Sequence, residues 1–296
     1  MDYMSVAEKA AEWGISERSV RNYCASGRVP GAYQAGRSWL IPGNAEKPAR
    51  ANSRAPHTSP LLARLKEERE SGLKGGIYHK VQVDLTYNSN HIEGSRLTHD
   101  QIRFIFETAT VGFEGEVLRV DDLIETQNHF RAVDYVIDNA AEPLCEEMLK
   151  ELHRILKSST TVAARSWFAV GEYKKLENEV ADRATSRPED VARDIQRLLT
   201  SYDPGRVHAL EEILDFHVAF ERIHPFQDGN GRVGRLVMFK ECLASCVAPF
   251  IIEDGMKAFY YRGLSEWDRE RGFLTDTCLA AQDRFKAALD YFRIAY

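Results

Sequence analysis

Residues 224–235 read HPFQDGNGRVGR, and this stretch decides how the rest of the chain is interpreted. The run before it, residues 208–223, places its apolar side chains at helical spacing. Pro225 cannot continue that helix and disfavours helical geometry at the residue before it. The sequence therefore predicts that His224 lies at the end of a helix, at the start of a loop.

The glycines of this stretch predict a site for an anion. Gly229 and Gly231 permit positive φ, and the run that follows, residues 232–243, has the spacing of a second helix. Main-chain amides of a glycine loop at a helix N-terminus bind phosphate groups. Arg232 adds a planar cation, and Arg235 lies one turn further along the same face.

Two further side chains of this loop, Asp228 and His224, are of the types that bind a metal ion and transfer a proton. Asp228 is the one carboxylate of the stretch, and Mg²⁺ in proteins is commonly held by one or two carboxylates together with phosphate oxygens. His224 has an ordinary pKa near neutrality, so it can act as a general base. The alternative is a purely structural glycine turn between two packed helices. Such a turn has no use for a histidine, an aspartate and two arginines.

The segment HPFQDGNGRVGR resembles, position for position, the HxFx(D/E)GNGRxxR signature of Fic-domain proteins. The resemblance covers residues 80–250 and implies an all-helical Fic fold that transfers AMP from ATP to a Ser, Thr or Tyr hydroxyl of a target protein. It implies that His224 deprotonates this hydroxyl, that Asp228 holds Mg²⁺ and that Phe226 anchors the loop. The residues that it implies in phosphate binding are Gly229, Asn230, Gly231, Arg232 and, at the γ-phosphate, Arg235.

An upstream segment, Ser-Asn-His-Ile-Glu-Gly at residues 89–94, resembles the (S/T)xxxE(G/N) inhibitory motif of the same family. Ser89 and Glu93 share one face of a helix. The resemblance implies an inhibitory helix around residues 84–93, with a bidentate pair between Glu93 and Arg235 that blocks the γ-phosphate position. In some relatives the same glutamate supports removal of AMP. The alternative is that Glu93 only ends a helix.

The body of the chain, residues 61–296, has the 3.6-residue spacing of amphipathic helices over most of its length and is predicted to be mainly α. An exception is expected at residues 161–173, whose β-branched and aromatic side chains predict a short β-hairpin near Gly171. This region up to Lys175 resembles the flap by which relatives recognise a target, with Lys174 where arginine is common. The alternative is a hairpin that only contributes to the core.

Residues 1–43 predict a small separate domain, joined to the body by a linker at residues 44–60 that is rich in proline and poor in large apolar side chains. Capping and spacing predict two short helices, at residues 4–14 and 17–27, followed by a β-hairpin around Gly36. This head resembles the winged helix-turn-helix modules of the MerR and excisionase type, which implies DNA binding.

Charge supports a local DNA surface on this head. The first 54 residues contain eight basic and five acidic residues, whereas the whole chain carries a net charge of −6. Positive charge near phosphates supplies most non-specific affinity for DNA. The alternative is a module that docks on a protein or dimerises. The residues predicted to face DNA are Arg18, Arg21, Asn22 and Arg37.

Composition limits the remaining classes of protein. No apolar run reaches the roughly 18 to 20 residues that span a bilayer, and the N-terminus has no secretory pattern. The five cysteines are scattered without a CxxC pair. We therefore expect a cytoplasmic protein with reduced thiols and no membrane partner. A homodimer is expected from the usual symmetry of such heads and bodies.

A different class of function stays open. The chain could be a DNA-binding transcriptional regulator whose Fic body senses a nucleotide or transfers another phosphate-containing group. The presence of both His224 and Asp228 favours chemistry over sensing, because a sensor needs neither.

Overall fold

The computed structural model describes residues 3–14, 17–25, 29–36, 38–47, 59–112, 115, 117–180 and 183–296. The chain divides into two compact units, residues 1–52 and residues 53–296. The predicted linker spans this division, and its residues 48–58 lie outside the described part of the chain.

Helices make up most of the described residues. In that part of the chain the helices are α1 (Val6–Trp13), α2 (Glu17–Ala25), α3 (Pro60–Ser71), α4 (Ile77–Ile92), α5 (His99–Thr108), α6 (Val120–Asp138), α7 (Glu146–Lys157), α8 (Val191–Tyr202), α9 (Leu210–Ile223), α10 (Asn230–Ala244), α11 (Lys257–Glu266) and α12 (Gly272–Tyr291). The strands are β1 (Tyr3–Met4), β2 (Tyr33–Ala35), β3 (Ser38–Pro42), β4 (Glu179–Val180) and β5 (Arg183–Ala184).

The first unit contains two helices and a β-hairpin at the predicted places. The Ser5 side chain accepts from the Glu8 main-chain N–H, and Glu8 caps Ser5 in return, so α1 begins with the expected capping box. Gly14 ends α1 in the left-handed conformation, as predicted. The sequence did not reveal β1, which pairs with β3 and completes a three-stranded antiparallel sheet in the order β1-β3-β2.

Helix α10 lies at the centre of the second unit. It contacts α4, α6, α7 and α9, and every residue along it except Gly231 is buried. Such a helix, apolar on most sides and covered by others, is the core of a helical bundle. The N-terminus of α10 is therefore the point at which side chains from several surrounding helices can meet.

The β-hairpin of the second unit lies later in the chain than predicted. Residues 162–164 form a single 3₁₀ turn, and the segment up to Lys175 is irregular. The Gly171 N–H donates to His153 Nδ1, and the Lys174 N–H donates to the Pro225 carbonyl, each at 2.9 Å. These amides are thus bonded to a side chain and to a loop, and the prediction of a hairpin at residues 161–173 was wrong. The hairpin is formed by β4 and β5.

Among the described residues, no helix combines the length and the apolar character that a membrane crossing requires.

Candidate active site

The loop between α9 and α10 is built as its sequence predicts. Helix α9 ends at Ile223, and His224 follows in the left-handed region with φ +51° and ψ +63°. Gly229 has φ +83°, and α10 begins at the next residue. The loop thus places the His224 side chain at the end of one helix and the glycine amides at the start of another.

Buried contacts fix the loop in place. The Asn230 side chain accepts from the Phe226 N–H and donates to the Phe226 carbonyl, both at 2.8 Å. The fully buried Phe226 ring stacks on His153, with 4.1 Å between ring centroids and 6° between planes. Phe226 therefore anchors the loop in the core, and Asn230 holds it through its side chain.

Gly231 is required for a different reason from the one expected. Its backbone is not in the left-handed region but lies within the first turn of α10. A Cβ at this position would lie 2.5 Å from Glu93 Oε1 and 3.0 Å from Arg235 Nη1. The glycine thus allows the close approach of these two side chains, because any larger residue would collide with them.

Arg235 and Glu93 are in contact. Arg235 Nη2 lies 2.6 Å from Glu93 Oε1 and donates also to the Ser89 main-chain carbonyl at 3.0 Å. The Arg235 Nε–H donates to Ser89 Oγ at 3.0 Å. One Glu93 oxygen and one Arg235 nitrogen are in contact, and Arg235 Nη1 has no hydrogen-bond partner among the described residues, so the bidentate geometry expected from the sequence was wrong. Burial opposes the charge of Glu93, but Arg235 outweighs it and lowers the pKa of this carboxyl.

Two residues that sequence reasoning missed complete the charge around the loop. Glu125 on α6 accepts from Lys157 Nζ at 2.5 Å and lies 2.7 Å from Arg232 Nη1. Lys157 on α7 also donates to Asp228 Oδ2 at 2.6 Å. Both Lys157 and Arg232 are almost fully buried. The sequence around the loop implied that Asp228 was its one carboxylate, but Glu125 is a second. Lys157 and Arg232 thus lie beside two carboxylates, Glu125 and Asp228.

Sequence periodicity offered one signal for Lys157. Four residues before it on α7 is His153, and both interrupt the apolar pattern of Leu149, Leu152 and Leu156 on a helix of high amphipathicity. Polar residues within such a face indicate a buried polar network. Glu125 has no comparable signal in the sequence, where Leu123 and Ile124 precede it and Thr126 and Gln127 follow it.

Asp228 is suited to a cation. Burial opposes its charge, but Lys157 and Arg232 outweigh burial and lower the pKa of Asp228 to about 2. The carboxylate is thus ionised at neutral pH, and about half of its side chain surface remains exposed. Among the described residues no group of three or more His, Cys, Asp or Glu is arranged to hold a metal ion. A single half-exposed carboxylate, here bonded to Lys157 and to the Gly229 N–H, fits Mg²⁺ that arrives with phosphate oxygens as further ligands.

His224 is neutral at physiological pH. Burial lowers its pKa to about 4, and the nearby Lys174 ammonium lowers it further, whereas Glu93 and Asp228 act in the opposite direction. The neutral imidazole has a free lone pair and can accept a proton. It therefore meets the electrostatic requirement for a general base.

A cavity of about 870 Å³ opens beside these residues. His224, Arg235 and Glu93 line it, and the β4–β5 hairpin and α11 form two of its walls. Glu221 also lines it, and burial raises the pKa of this carboxyl to about 7 despite the opposing effect of Arg235. Tyr260 from α11 lines it too and forms a 2.6 Å hydrogen bond with His217. The volume is sufficient for a ligand of nucleotide size.

The residues predicted to face DNA are only partly described. Arg21 is exposed on α2 and pairs with Glu17 at 2.5 Å, which offsets part of its charge. Arg18 and Asn22 belong to α2, but their side chains lie outside the described part, as does the whole of Arg37.

The geometry agrees with comparisons to known proteins. Residues 143–242 match the family model described as Fic/DOC family. Residues 143–242 are therefore similar to a Fic domain, in agreement with the motif at residues 224–235. The predicted mainly helical Fic-like fold is confirmed.

Curated relatives share this region. The chain is 28% identical over 184 residues to protein adenylyltransferase Fic of Nematostella vectensis, an alignment that covers 61% of this chain and 42% of the relative. It is 29% identical over 185 residues to the protein of the same name from Drosophila grimshawi, covering 60% and 36%. The chain thus aligns with less than half the length of these relatives.

Solved structures share the fold. A Fic domain containing signaling protein from Bacteroides thetaiotaomicron is 25% identical with a TM-score of 0.57, covering 78% of this chain and 90% of that one. Fic-1 from C. elegans, residues 134–508, has a TM-score of 0.60 at 18% identity, covering 79% and 72%. The latter likeness shows the fold alone.

Proposed function

We propose that the chain is a protein adenylyltransferase that transfers AMP from ATP to a hydroxyl side chain of a target protein. The observation that carries this proposal is the convergence of neutral His224, ionised Asp228 and Arg232 on one glycine loop beside a nucleotide-sized cavity. The names of the relatives over the same region support it.

The roles of the loop residues follow from their chemistry. A target hydroxyl gives its proton to the His224 imidazole while its oxygen attacks the α-phosphorus of ATP and pyrophosphate leaves. The main-chain amides of Gly229, Asn230 and Gly231, at the start of α10, are suited to hold the phosphates. Arg232 adds a fixed positive charge where charge develops on the phosphate oxygens.

Mg²⁺ bound at Asp228 would supply charge neutralisation on the phosphate oxygens. The contribution of the chain is to present an ionised carboxylate that Lys157 orients through its 2.6 Å contact. Positioning of this kind, rather than covalent catalysis, accounts for most of the acceleration in phosphoryl-type transfers.

Glu93 restrains this activity in the proposed mechanism. Its carboxylate engages Arg235, the arginine suited to the outermost phosphate, and lies so close to Gly231 that a Cβ there would be 2.5 Å from Glu93 Oε1. ATP would then bind without the contact that aligns its α-phosphate for in-line attack. Loss of the Glu93 carboxylate would remove this contact, while the two hydrogen bonds from Arg235 to Ser89 would remain.

The decisive experiment uses the Glu93→Gly protein with ATP labelled on the α-phosphate and, in parallel, on the γ-phosphate. Label from the α-phosphate on the protein itself, lost when His224→Ala is added, supports AMP transfer. Label from the γ-phosphate alone would support transfer of phosphate. Absence of label from both positions would favour a nucleotide sensor and overturn the proposal.

Removal of AMP is a second reaction that the same cavity could support. Glu93 and His224 both line it, so a carboxylate and an imidazole face the position of a modified side chain. The test adds the protein without substitutions, which retains Glu93, to the AMP-labelled Glu93→Gly protein and measures release of AMP. A Glu93→Gln protein, which lacks the carboxylate charge, is the control.

The first unit supports a second candidate function, binding to DNA. Two short helices precede a hairpin, and α2 exposes Arg21. The surplus of basic residues in the first 54 positions favours an anionic partner. A gel shift on the promoter of its own gene at increasing salt tests it, because binding through phosphates weakens steeply with salt. No shift at low salt would favour a protein-docking module.

A further inference from the structure

Lys174 is a buried cation beside the proposed catalytic base. Only 3% of its surface is exposed. Its ammonium donates to Asn178 Oδ1 at 2.7 Å, to Thr185 Oγ1 at 2.6 Å and to the Ile223 carbonyl at 3.4 Å. In the described part of the chain no carboxylate pairs with it. A buried lysine held only by neutral acceptors is costly, so its position calls for an explanation.

The three acceptors belong to two different parts of the site. Asn178 and Thr185 flank the β4–β5 hairpin, immediately before β4 and immediately after β5. Ile223 is the last residue of α9, directly before His224. The ammonium of Lys174 thus joins both ends of the hairpin to the residue that precedes the histidine.

Other hydrogen bonds also join the hairpin segment to the end of α9 and the loop after it. The Lys174 N–H donates to the Pro225 carbonyl at 2.9 Å, and Asn178 Nδ2 donates to the Phe226 carbonyl at 3.1 Å. The Ser186 N–H donates to the Ile223 carbonyl at 3.3 Å. The hairpin is therefore attached to the loop through several contacts, and Lys174 is the only charged side chain among them.

We propose that Lys174 is a positioning residue for the transfer step, whose ammonium holds the β4–β5 hairpin at a fixed distance from His224. Glu179 and Ala184 of the hairpin and the adjacent Thr185 line the cavity that His224 also lines. A displaced hairpin would therefore change the cavity beside His224, and we expect it to misalign the acceptor and not the nucleotide phosphates. This inference rests on the proposed AMP transfer.

Protonation of Lys174 should control this attachment. The ammonium has three N–H donors for its three acceptors, whereas the neutral amine has two. Burial lowers the pKa of Lys174 to about 8, and Glu177 acts in the opposite direction. The charged and titratable groups around it are Glu177 on its own segment, His224 directly after α9 and Glu179 on β4, while the side chains that accept from its ammonium, Asn178 and Thr185, are neutral. Transfer should therefore decline as pH rises through about 8.

The test uses the full-length Glu93→Gly protein and measures self-modification with α-labelled ATP and Mg²⁺ from pH 6.5 to 9.5. Adding Lys174→Met should lower the maximal rate by about tenfold to a hundredfold, as for a misplaced reactant, while calorimetry gives an ATP affinity within about twofold. Lys174→Arg should restore much of the rate and remove the decline above pH 8, because arginine stays charged. Lys175→Met, at the exposed neighbouring lysine, is the matched control.

The outcomes separate the two proposals. No α-label on the Glu93→Gly protein overturns the AMP transfer and this inference with it. A labelled Glu93→Gly protein whose rate is unchanged by Lys174→Met, or whose alkaline decline persists with Lys174→Arg, overturns the role of Lys174 alone. If Lys174→Met does not fold, Thr185→Val removes one acceptor and should still lower the rate without changing ATP affinity; an unchanged rate contradicts the inference.

Discussion

Arg235 donates to Glu93 through a single nitrogen, and Ser89 accepts both from the Nε–H and from that same nitrogen. In the proposed mechanism the restraint is therefore shared between the Glu93 carboxylate and Ser89, which lies one helical turn before it. Hydrogen bonds that involve a charged group are worth about 1.5–3 kcal/mol, so each partner should make a separate and measurable contribution.

We expect Ser89→Ala to release the restraint in part and Glu93→Gly to release it more fully. Self-modification with α-labelled ATP should rise about threefold to tenfold for Ser89→Ala and about tenfold to a hundredfold for Glu93→Gly, from the loss of one or more charged hydrogen bonds. Ser71→Ala, at the end of α3, should leave the rate unchanged. Equal rates for Ser89→Ala and the unmodified sequence would show that Glu93 acts alone.

Removal of the Glu125 carboxylate should destabilise the loop more than removal of Lys157. Glu125→Gln leaves Lys157 and Arg232 with Asp228 as their remaining close carboxylate, and leaving buried charge unpaired costs about 3–5 kcal/mol. In Lys157→Met, Glu125 still pairs with Arg232, and Asp228 is half-exposed to solvent. The loss of unfolding free energy should therefore be smaller for this variant. The midpoint temperature of thermal unfolding should fall by about 6–15 °C for Glu125→Gln.

Glu211→Gln, at an exposed position on α9, is the control for this charge change, and it should shift the unfolding midpoint little. Inorganic pyrophosphate should stabilise Glu125→Gln more than the protein with Glu125, since Lys157 and Arg232 then have one close carboxylate, Asp228, in place of two. A smaller stabilisation of the variant would show that these cations do not contact phosphate.

Asn230→Ala should destabilise the fold although Asn230 lies at the start of a helix. The substitution leaves the N–H of buried Phe226 without its partner, at about 1–3 kcal/mol, and removes one of the two donors to the Phe226 carbonyl, which Asn178 Nδ2 still contacts. Chemical unfolding should report a loss of about 1–4 kcal/mol. The matched control is Asn139→Ala, which removes a single bond to the Tyr135 carbonyl at the end of α6 and should cost less. Equal losses for the two variants would argue against a special role for the hydrogen bonds between Asn230 and the Phe226 main chain.

Glu221 should make stability fall with rising pH. Its folded-state pKa of about 7 lies above the ordinary value of 4.5, so between these values the folded protein holds a proton that the unfolded chain has lost. Stability should decline across that window, by about 3 kcal/mol at 1.4 kcal/mol per pKa unit, and level off above pH 7. In Glu221→Gln this component should be absent.

The measurement is the difference in unfolding free energy between Glu221→Gln and the unmodified protein from pH 4.5 to 8. Val218→Ala, which removes apolar contacts from the same cavity wall, should give a difference that does not vary with pH. A pH-independent difference for Glu221→Gln as well would mean that Glu221 titrates in the folded protein as it does in the unfolded chain.

The loop at residues 224–235 could be predicted from the sequence because local rules govern it. A proline stops α9, a glycine adopts positive φ, and a helix begins after them. Glu125 and Lys157 could not be predicted in the same way, since they reach the loop from other helices through tertiary packing. The same limit applies to Arg235, whose partner Glu93 was anticipated from a family resemblance while the contribution of the Ser89 carbonyl was not.

The misplaced hairpin has a physical explanation too. Residues 161–173 contain several β-branched and aromatic side chains, yet the amides of Thr161 and Gly171 bond to the side chains of Asp121 and His153. The paired strands are instead Glu179–Val180 and Arg183–Ala184, in a segment without an alternating pattern. Lys174, Asn178 and Thr185 are hydrogen-bonded to one another next to these strands, so tertiary contacts override local propensity there.

His224 occupies a backbone conformation that glycine adopts freely and that costs other residues about 1–2 kcal/mol. Selection for thermal resistance alone would therefore favour replacing the histidine, and a library sorted by heat survival should accumulate inactive proteins with glycine at position 224. An imidazole at that strained turn therefore lowers thermal stability in exchange for a group that can accept a proton.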